Sequence, residues 1–135
     1  MKILVVDGQG GGVGRQLAAQ IKQAFPDVHL MAVGTNTIAT AAMLKGGADS
    51  AATGENAVLV AARKADVIVG PLGIVVADSL GGEITPAMAK AVAQSDAKRI
   101  LLPFNHCETV IVGVFDFTMG RLVQQAVEEI RKIVS

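Results

Sequence analysis

The stretch Ile3-Leu4-Val5-Val6-Asp7, followed at once by Gly8-Gln9-Gly10-Gly11-Gly12-Val13-Gly14, decides how this chain folds. The first part is a continuous apolar, largely β-branched run without polar alternation, the pattern of a strand buried on both faces in a parallel sheet. Five of the next seven residues are glycine, and a helical pattern begins behind them. A strand running into a glycine loop and then a helix is how α/β proteins hold phosphate. Glycine lets the backbone turn tightly and approach an oxyanion. The first helical turn adds unpaired N–H groups and the positive end of the helix dipole. The reading is a nucleotide-type ligand seated on the loop.

Working outward, strand and helix signals alternate. A helix over 13–24 carries Leu17, Ala18 and Ile21 on one face and stops at Pro26-Asp27. A second strand covers 28–33. Thr35 or Asn36 caps a short helix that Gly46-Gly47 ends. A short edge strand over 49–52 follows, then a helix over 55–63 capped by Thr53, and a fourth strand over 66–69. Thr85-Pro86 is a hydroxyl cap with proline at the first helical position, opening a helix to Gln94. A fifth strand covers 99–103 and a sixth 110–114. Only six residues separate these two, too few for a parallel crossover, so they are expected to form an antiparallel hairpin. The final helix, 119–134, carries one apolar stripe.

This pattern predicts one domain over 1–135. Its fold class is α/β: a three-layer, doubly wound, mostly parallel Rossmann-like sheet of order 3-2-1-4-5, with an antiparallel C-terminal edge strand. Ligands of such sheets lie beyond the carboxyl ends of the strands, beside strand one. Four loops converge there: the glycine loop, Gly34-Thr35-Asn36, Gly70-Pro71-Leu72-Gly73, and the turn containing Asn105-His106-Cys107.

Composition bounds the partners. Twelve basic residues balance twelve acidic ones, and the basic residues are scattered, so nucleic acid is not an expected partner. Hydrophobic residues make up 51% and charged residues 18%, with mean hydropathy +0.49. Apolar surface is therefore expected between subunits, in a homodimer or homotetramer. No segment approaches the ~20 apolar residues that span a bilayer, and no membrane partner is expected. A single cysteine, Cys107, fits a reducing compartment, and no leader pattern opens the chain. The expected location is the cytoplasm.

The loop spacing does not fit G-x-G-x-x-G, because Val13 stands where the last glycine belongs. G-x-x-x-G-x-G does fit, as Gly8, Gly12 and Gly14. With Val13 and the helix behind it, the loop resembles the cofactor loop of short-chain dehydrogenases. Two departures limit that analogy. An acid at the end of the second strand would take the ribose hydroxyls of NAD, yet Val33-Gly34-Thr35-Asn36 is neutral. Those enzymes also use a catalytic tyrosine, and this chain has none. The cofactor is left unassigned, with NAD(P) or another nucleotide as candidates. No Gly-Lys-Ser/Thr follows, so the loop is not a P-loop.

Other candidates each have two readings. Asp7 either bonds a ribose, metal or water, or braces loop amides. Thr35 and Asn36 either contact a ribose or a 2′-phosphate, or only cap a helix. Glu55 sits in a first helical turn, where the dipole alone favours a carboxylate. Asp78 and Glu83 flank Gly81-Gly82 in a stretch that suggests a lid or a subunit contact. His106 is a general-base candidate and Cys107 a nucleophile candidate, although both are also ordinary turn residues. Two histidines and one cysteine show no zinc spacing, and no metal is expected.

Several segments occur in order: Asp7 to Gly14, Gly34-Thr35-Asn36 with Ala39-Thr40, Thr53-Gly54-Glu55-Asn56-Ala57, Gly70-Pro71-Leu72-Gly73-Ile74-Val75, and Gly82-Glu83-Ile84-Thr85-Pro86. Over most of its length the chain resembles a family of small bacterial proteins of unassigned function. The resemblance implies a stand-alone Rossmann-like domain and supplies no reaction or catalytic residue. Three functions stand: a nucleotide-binding module, a small oligomeric enzyme of oxidoreductase or transferase type with His106, Asp7 or Glu55 moving protons, and a structural oligomer built on Ile74-Val75-Val76.

Overall fold

The computed structural model describes residues 1–104, 109–115 and 118–134. Five strands are β1 (Lys2–Asp7), β2 (His29–Gly34), β3 (Ser50–Thr53), β4 (Val67–Pro71) and β5 (Lys98–Leu102). They form one sheet of order β3-β2-β1-β4-β5, and every pairing is parallel. The helices are α1 (Gly12–Ala24), α2 (Thr37–Gly46), α3 (Glu55–Lys64), α4 (Pro86–Gln94) and α5 (Met119–Val134), with a short 3-10 turn at Leu72–Val75.

β1 shows how the sequence divides the molecule into layers. Side chains alternate across a strand, so Ile3 and Val5 join one core with Leu17 of α1, Met43 of α2 and Leu122 of α5. Leu4 and Val6 join a second core with Val58 of α3 and Met88 of α4. The continuous apolar run is needed because both faces are covered. The next residue in the alternation, Asp7, falls on the α1 side.

Local signals place the helix starts. The Asn36 side chain accepts from the Ala39 amide at 2.9 Å, and Thr85 Oγ1 accepts from the Met88 amide at 3.1 Å. Thr53 does not cap α3 as expected. The cap is Gly54, at φ 105° and without a side-chain bond. The Thr53 hydroxyl is instead 2.7 Å from Thr40 Oγ1, which joins β3 to α2.

The sixth strand is a further correction. Among the described residues, 109–115 contain no strand, and Val112-Gly113 form a turn with Gly113 at φ 92°. β-branched residues favour a pleated, half-buried surface but do not create one. Here Val110 and Val112 are 80% and 93% exposed, and the described residues form no antiparallel edge strand. The candidate interface at Ile74-Val75-Val76 is also altered, because Ile74 is fully buried within its own chain. Among the described residues, no helix is long and apolar enough to cross a membrane.

Candidate functional site

Asp7 ends β1 with its side chain buried and turned toward the start of α1. One carboxylate oxygen accepts from the Gly8 amide at 2.8 Å and the other from the Gly14 amide at 2.7 Å. Gly14 is the third residue of α1, so Asp7 caps that helix from the strand, a task usually done by the residue before the helix. Of its two readings, the brace is the one the geometry supports.

The five loop glycines divide into two groups. Gly11 has φ 73°, and a Cβ there would lie 2.8 Å from the Ala39 Cα. A Cβ on Gly8 would lie 2.6 Å from Thr35 Oγ1, and one on Gly14 would lie 2.9 Å from the Asp7 Cβ and 2.5 Å from Met43 Sδ. Packing or backbone geometry explains these three. At Gly10 and Gly12 a Cβ would meet nothing within 4 Å, and neither residue has positive φ.

The same two residues line an open cavity of about 130 Å³, formed by the loop from Asp7 to Val13 with Pro71, Leu80 and Met119. Gly11 donates to the Gly8 carbonyl at 2.9 Å, and Gln9 donates to Glu83 at 2.9 Å. Among the described residues, the amides of Gly10, Gly12 and Val13 have no protein acceptor. The first turn of α1 contains no acidic residue. Nucleotide-sized pockets span roughly 300–1,000 Å³, so this cavity fits one oxyanion group rather than a whole nucleotide. Among the described residues no lysine or arginine lines it, and the open amides and the helix dipole supply positive charge.

Beyond β2, Thr35 and Asn36 are held in a second cluster. Oε1 of Glu83 accepts from the Thr35 hydroxyl at 2.5 Å, from Asn36 Nδ2 at 2.8 Å and from the Gln9 amide at 2.9 Å. Asn36 Nδ2 also donates to the Gln9 carbonyl at 2.9 Å. The Thr35 hydroxyl above all, then the Gln9 amide, hold the Glu83 carboxyl below its ordinary value of 4.5. Sequence reasoning left Glu83 without a role. The available signal was an isolated acid behind two glycines in a carboxyl-edge loop, combined with the neutral tip of β2.

Residues 76–84 carry Glu83 and form a hydrogen-bonded strap whose apolar residues are packed. Ile84 donates to the Ser79 carbonyl at 3.2 Å and Asp78 to the Ile84 carbonyl at 2.7 Å. Leu80 and Ile84 are buried in the α3–α4 core. Gly34 packs against Thr40 and Gly70 against the Val6 carbonyl, so both fit close strand–loop contacts; Pro71 alone of the β4 tip residues reaches the cavity. Glu55 accepts from the Thr85 hydroxyl at 2.6 Å, a link between helix starts. His29 Nε2 lies 3.0 Å from Ser50 Oγ at the strand edge. Asn105, His106 and Cys107 lie outside the described residues.

A larger groove of about 590 Å³ lies along α3 beside β1, β2 and β3. Its walls are mostly apolar, including Ile3, Leu4, Met31 and Val60, with Lys2 and Lys64 also on its lining. Its lining includes Asn56 and Ala57 of the first turn of α3 but none of the glycine loop, which lines the smaller cavity.

Among solved structures, the chain is similar to a dodecameric FMN-dependent UbiX-like decarboxylase from Escherichia coli O157:H7. Identity is 18% over 97% of this chain and 76% of that chain, with a TM-score of 0.47. No curated protein matches. A family model matches residues 2–135, and the chain belongs to the family described as domain of unknown function DUF3842.

Proposed function

We propose that this protein binds a nucleotide-type small molecule by seating one phosphate on the amides of Gly10, Gly12 and Val13. The observation that carries this reading is the open space at Gly10 and Gly12. Folding requires glycine at neither position, and a ligand approaching the backbone would require it at both. Helix dipole and unpaired N–H groups supply the attraction. The rest of the ligand lies outside the small cavity, across the carboxyl ends of the strands toward Gly34, Thr35 and Asn36 on one side and Gly70 and Pro71 on the other. NAD(P) and mononucleotides are the candidate ligands.

The enzyme reading loses one of its proton carriers, since both oxygens of Asp7 accept from loop amides. The binding module is therefore the better account. The same reading makes the protein cytoplasmic and a homodimer or homotetramer, with the exposed Val110, Val112 and Phe115 finding cover between subunits.

Isothermal titration with NAD, NADP, FAD, ATP and AMP tests the ligand, with Gly12→Val as the blocked control. Binding by at least one compound, abolished in Gly12→Val with the fold intact, is the expected result. Absence of heat with all five overturns the proposal, as does equal binding by the blocked variant.

A further inference from the structure

We infer that Glu83 is the ribose acceptor of this site and that it selects ligands with a free 2′-hydroxyl over those phosphorylated there. The inference rests on the phosphate reading of the glycine loop and specifies which nucleotides that loop accepts.

Dinucleotide-binding sheets place an acid at the end of the second strand, where it accepts the ribose hydroxyls. In this chain that tip is neutral, yet a carboxylate stands beside it. Glu83 reaches the tip from the connection between β4 and α4, with its Oε1 2.5 Å from Thr35 Oγ1 and 2.8 Å from Asn36 Nδ2. The third bond of Oε1, from the Gln9 amide at 2.9 Å, fixes it to the loop one residue before the open amide of Gly10. The carboxylate thus lies between the anion cavity and the end of β2, the direction in which a ribose extends from a seated phosphate.

The two oxygens are unequal. Oε1 accepts three hydrogen bonds, whereas Oε2 has no protein partner among the described residues. Glu83 is partly exposed, so Oε2 is an acceptor open to a hydroxyl donor. A carboxylate can accept at both oxygens and cannot donate when ionised. It therefore suits a ribose hydroxyl and repels a phosphate in the same place.

The strap that delivers Glu83 has an unusual backbone. Asp78 and Leu80 have φ 68° and 56°, and Gly81 and Gly82 have φ 67° and 92°. Left-handed non-glycine residues are strained and persist only where surrounding contacts hold them. Burial of Leu80 and Ile84 supplies those contacts, and the outcome is a carboxylate aimed at the β1 and β2 tips. A purely structural clamp would need only Oε1, and it would be indifferent to the ligand's 2′ substituent.

The test compares probe pairs that differ only at that position: NAD with NADP, and AMP with 2′-deoxy-AMP. Each pair is titrated into the wild type and Glu83→Gln. Glutamine keeps an Oε1 acceptor for Thr35, Asn36 and Gln9 but removes the charge and offers an amide in place of Oε2. The wild type is expected to bind NAD more tightly than NADP, and AMP more tightly than 2′-deoxy-AMP, by about tenfold or more, the scale of one charge-assisted hydrogen bond. In Glu83→Gln both ratios fall toward one. Each ratio is measured on a single protein, so a general loss of folded material cancels. If the wild type binds these compounds with ratios near one, or the variant keeps the wild-type ratios, Glu83 is only a clamp and the phosphate site stands. If none of the four binds the wild type, this inference falls, while the phosphate reading is decided separately by the titration that includes FAD and ATP.

Discussion

Alanine substitution along the glycine loop separates residues that the fold needs from residues that a ligand needs. At Gly11, alanine would have to adopt φ 73°, which costs roughly 1–2 kcal/mol. Its Cβ would also lie 2.8 Å from the Ala39 Cα and 2.9 Å from the Ala39 carbonyl oxygen. Both are backbone atoms, so α1 and α2 must separate, at about 1–3 kcal/mol for an overpacked contact. The expected loss is about 2–5 kcal/mol. At Gly14 only the packing penalty applies. At Gly12 neither applies, and alanine in place of glycine at a compatible position gains about 0.4–1 kcal/mol.

The chain has no tryptophan or tyrosine, so urea unfolding is followed by far-ultraviolet circular dichroism. Gly11→Ala and Gly14→Ala lower the midpoint; Gly10→Ala and Gly12→Ala leave it unchanged or raise it. Nucleotide binding follows the opposite pattern. A methyl at position 12 stands before the open amides and weakens binding, while the protein itself remains folded. If Gly12→Ala destabilised the protein as much as Gly11→Ala, the division of the loop would be wrong. If it were stable and bound ligand like the wild type, the cavity would not be the site.

Asp7→Asn replaces one acceptor with a donor facing an amide, and a loss of about 2 kcal/mol or more is expected from the same urea titration; a change below about 0.5 kcal/mol would show the brace to be idle. Glu83 has a folded-state carboxyl below its unfolded value of 4.5, so its contribution is present above that value and is lost as pH falls through the folded value. Stability of the wild type and Glu83→Gln measured from pH 7 to 3 should therefore converge in acid, and a constant difference would refute the shift. Asp49, lowered chiefly by the Leu30 amide and then by Lys22, gives the same direction in an Asp49→Asn comparison. Light scattering should report at least twice the 13.8 kDa chain mass, with Phe115→Ser, altering a side chain 96% exposed in the single chain, shifting the protein toward monomer.

Most of the fold was legible because its determinants are local or periodic. The run through Val5 and Val6 reads as a two-faced strand, and Asn36 and Thr85 mark helix starts within three residues of the amides they accept. The alternation of strands and helices then fixes a parallel sheet by handedness and by connection length. The segment 110–114 misled because β propensity describes a residue's fit to a sheet that must already offer an edge. Thr53 misled for a related reason: its hydroxyl had two possible partners, and the contact with Thr40, thirteen positions away, prevailed over the local cap.

The candidate site was legible only in outline, for a physical reason visible in the loop itself. Gly10, Gly11, Gly12 and Gly14 are identical in sequence, and what distinguishes them is the distance from a missing Cβ to α2 or to Asp7. Such distances are set by the packing of α1 on α2, which no local pattern encodes. Glu83 was hidden in the same way, since its bonds to Thr35 and Gln9 cross 48 and 74 positions. Those bonds also change the meaning of the neutral β2 tip. Judged as sequence, Gly34-Thr35-Asn36 lacks the acid that a ribose requires. In the folded chain Thr35 and Asn36 are the donors that hold one, and the charge absent from the second strand is supplied by the strap after the fourth.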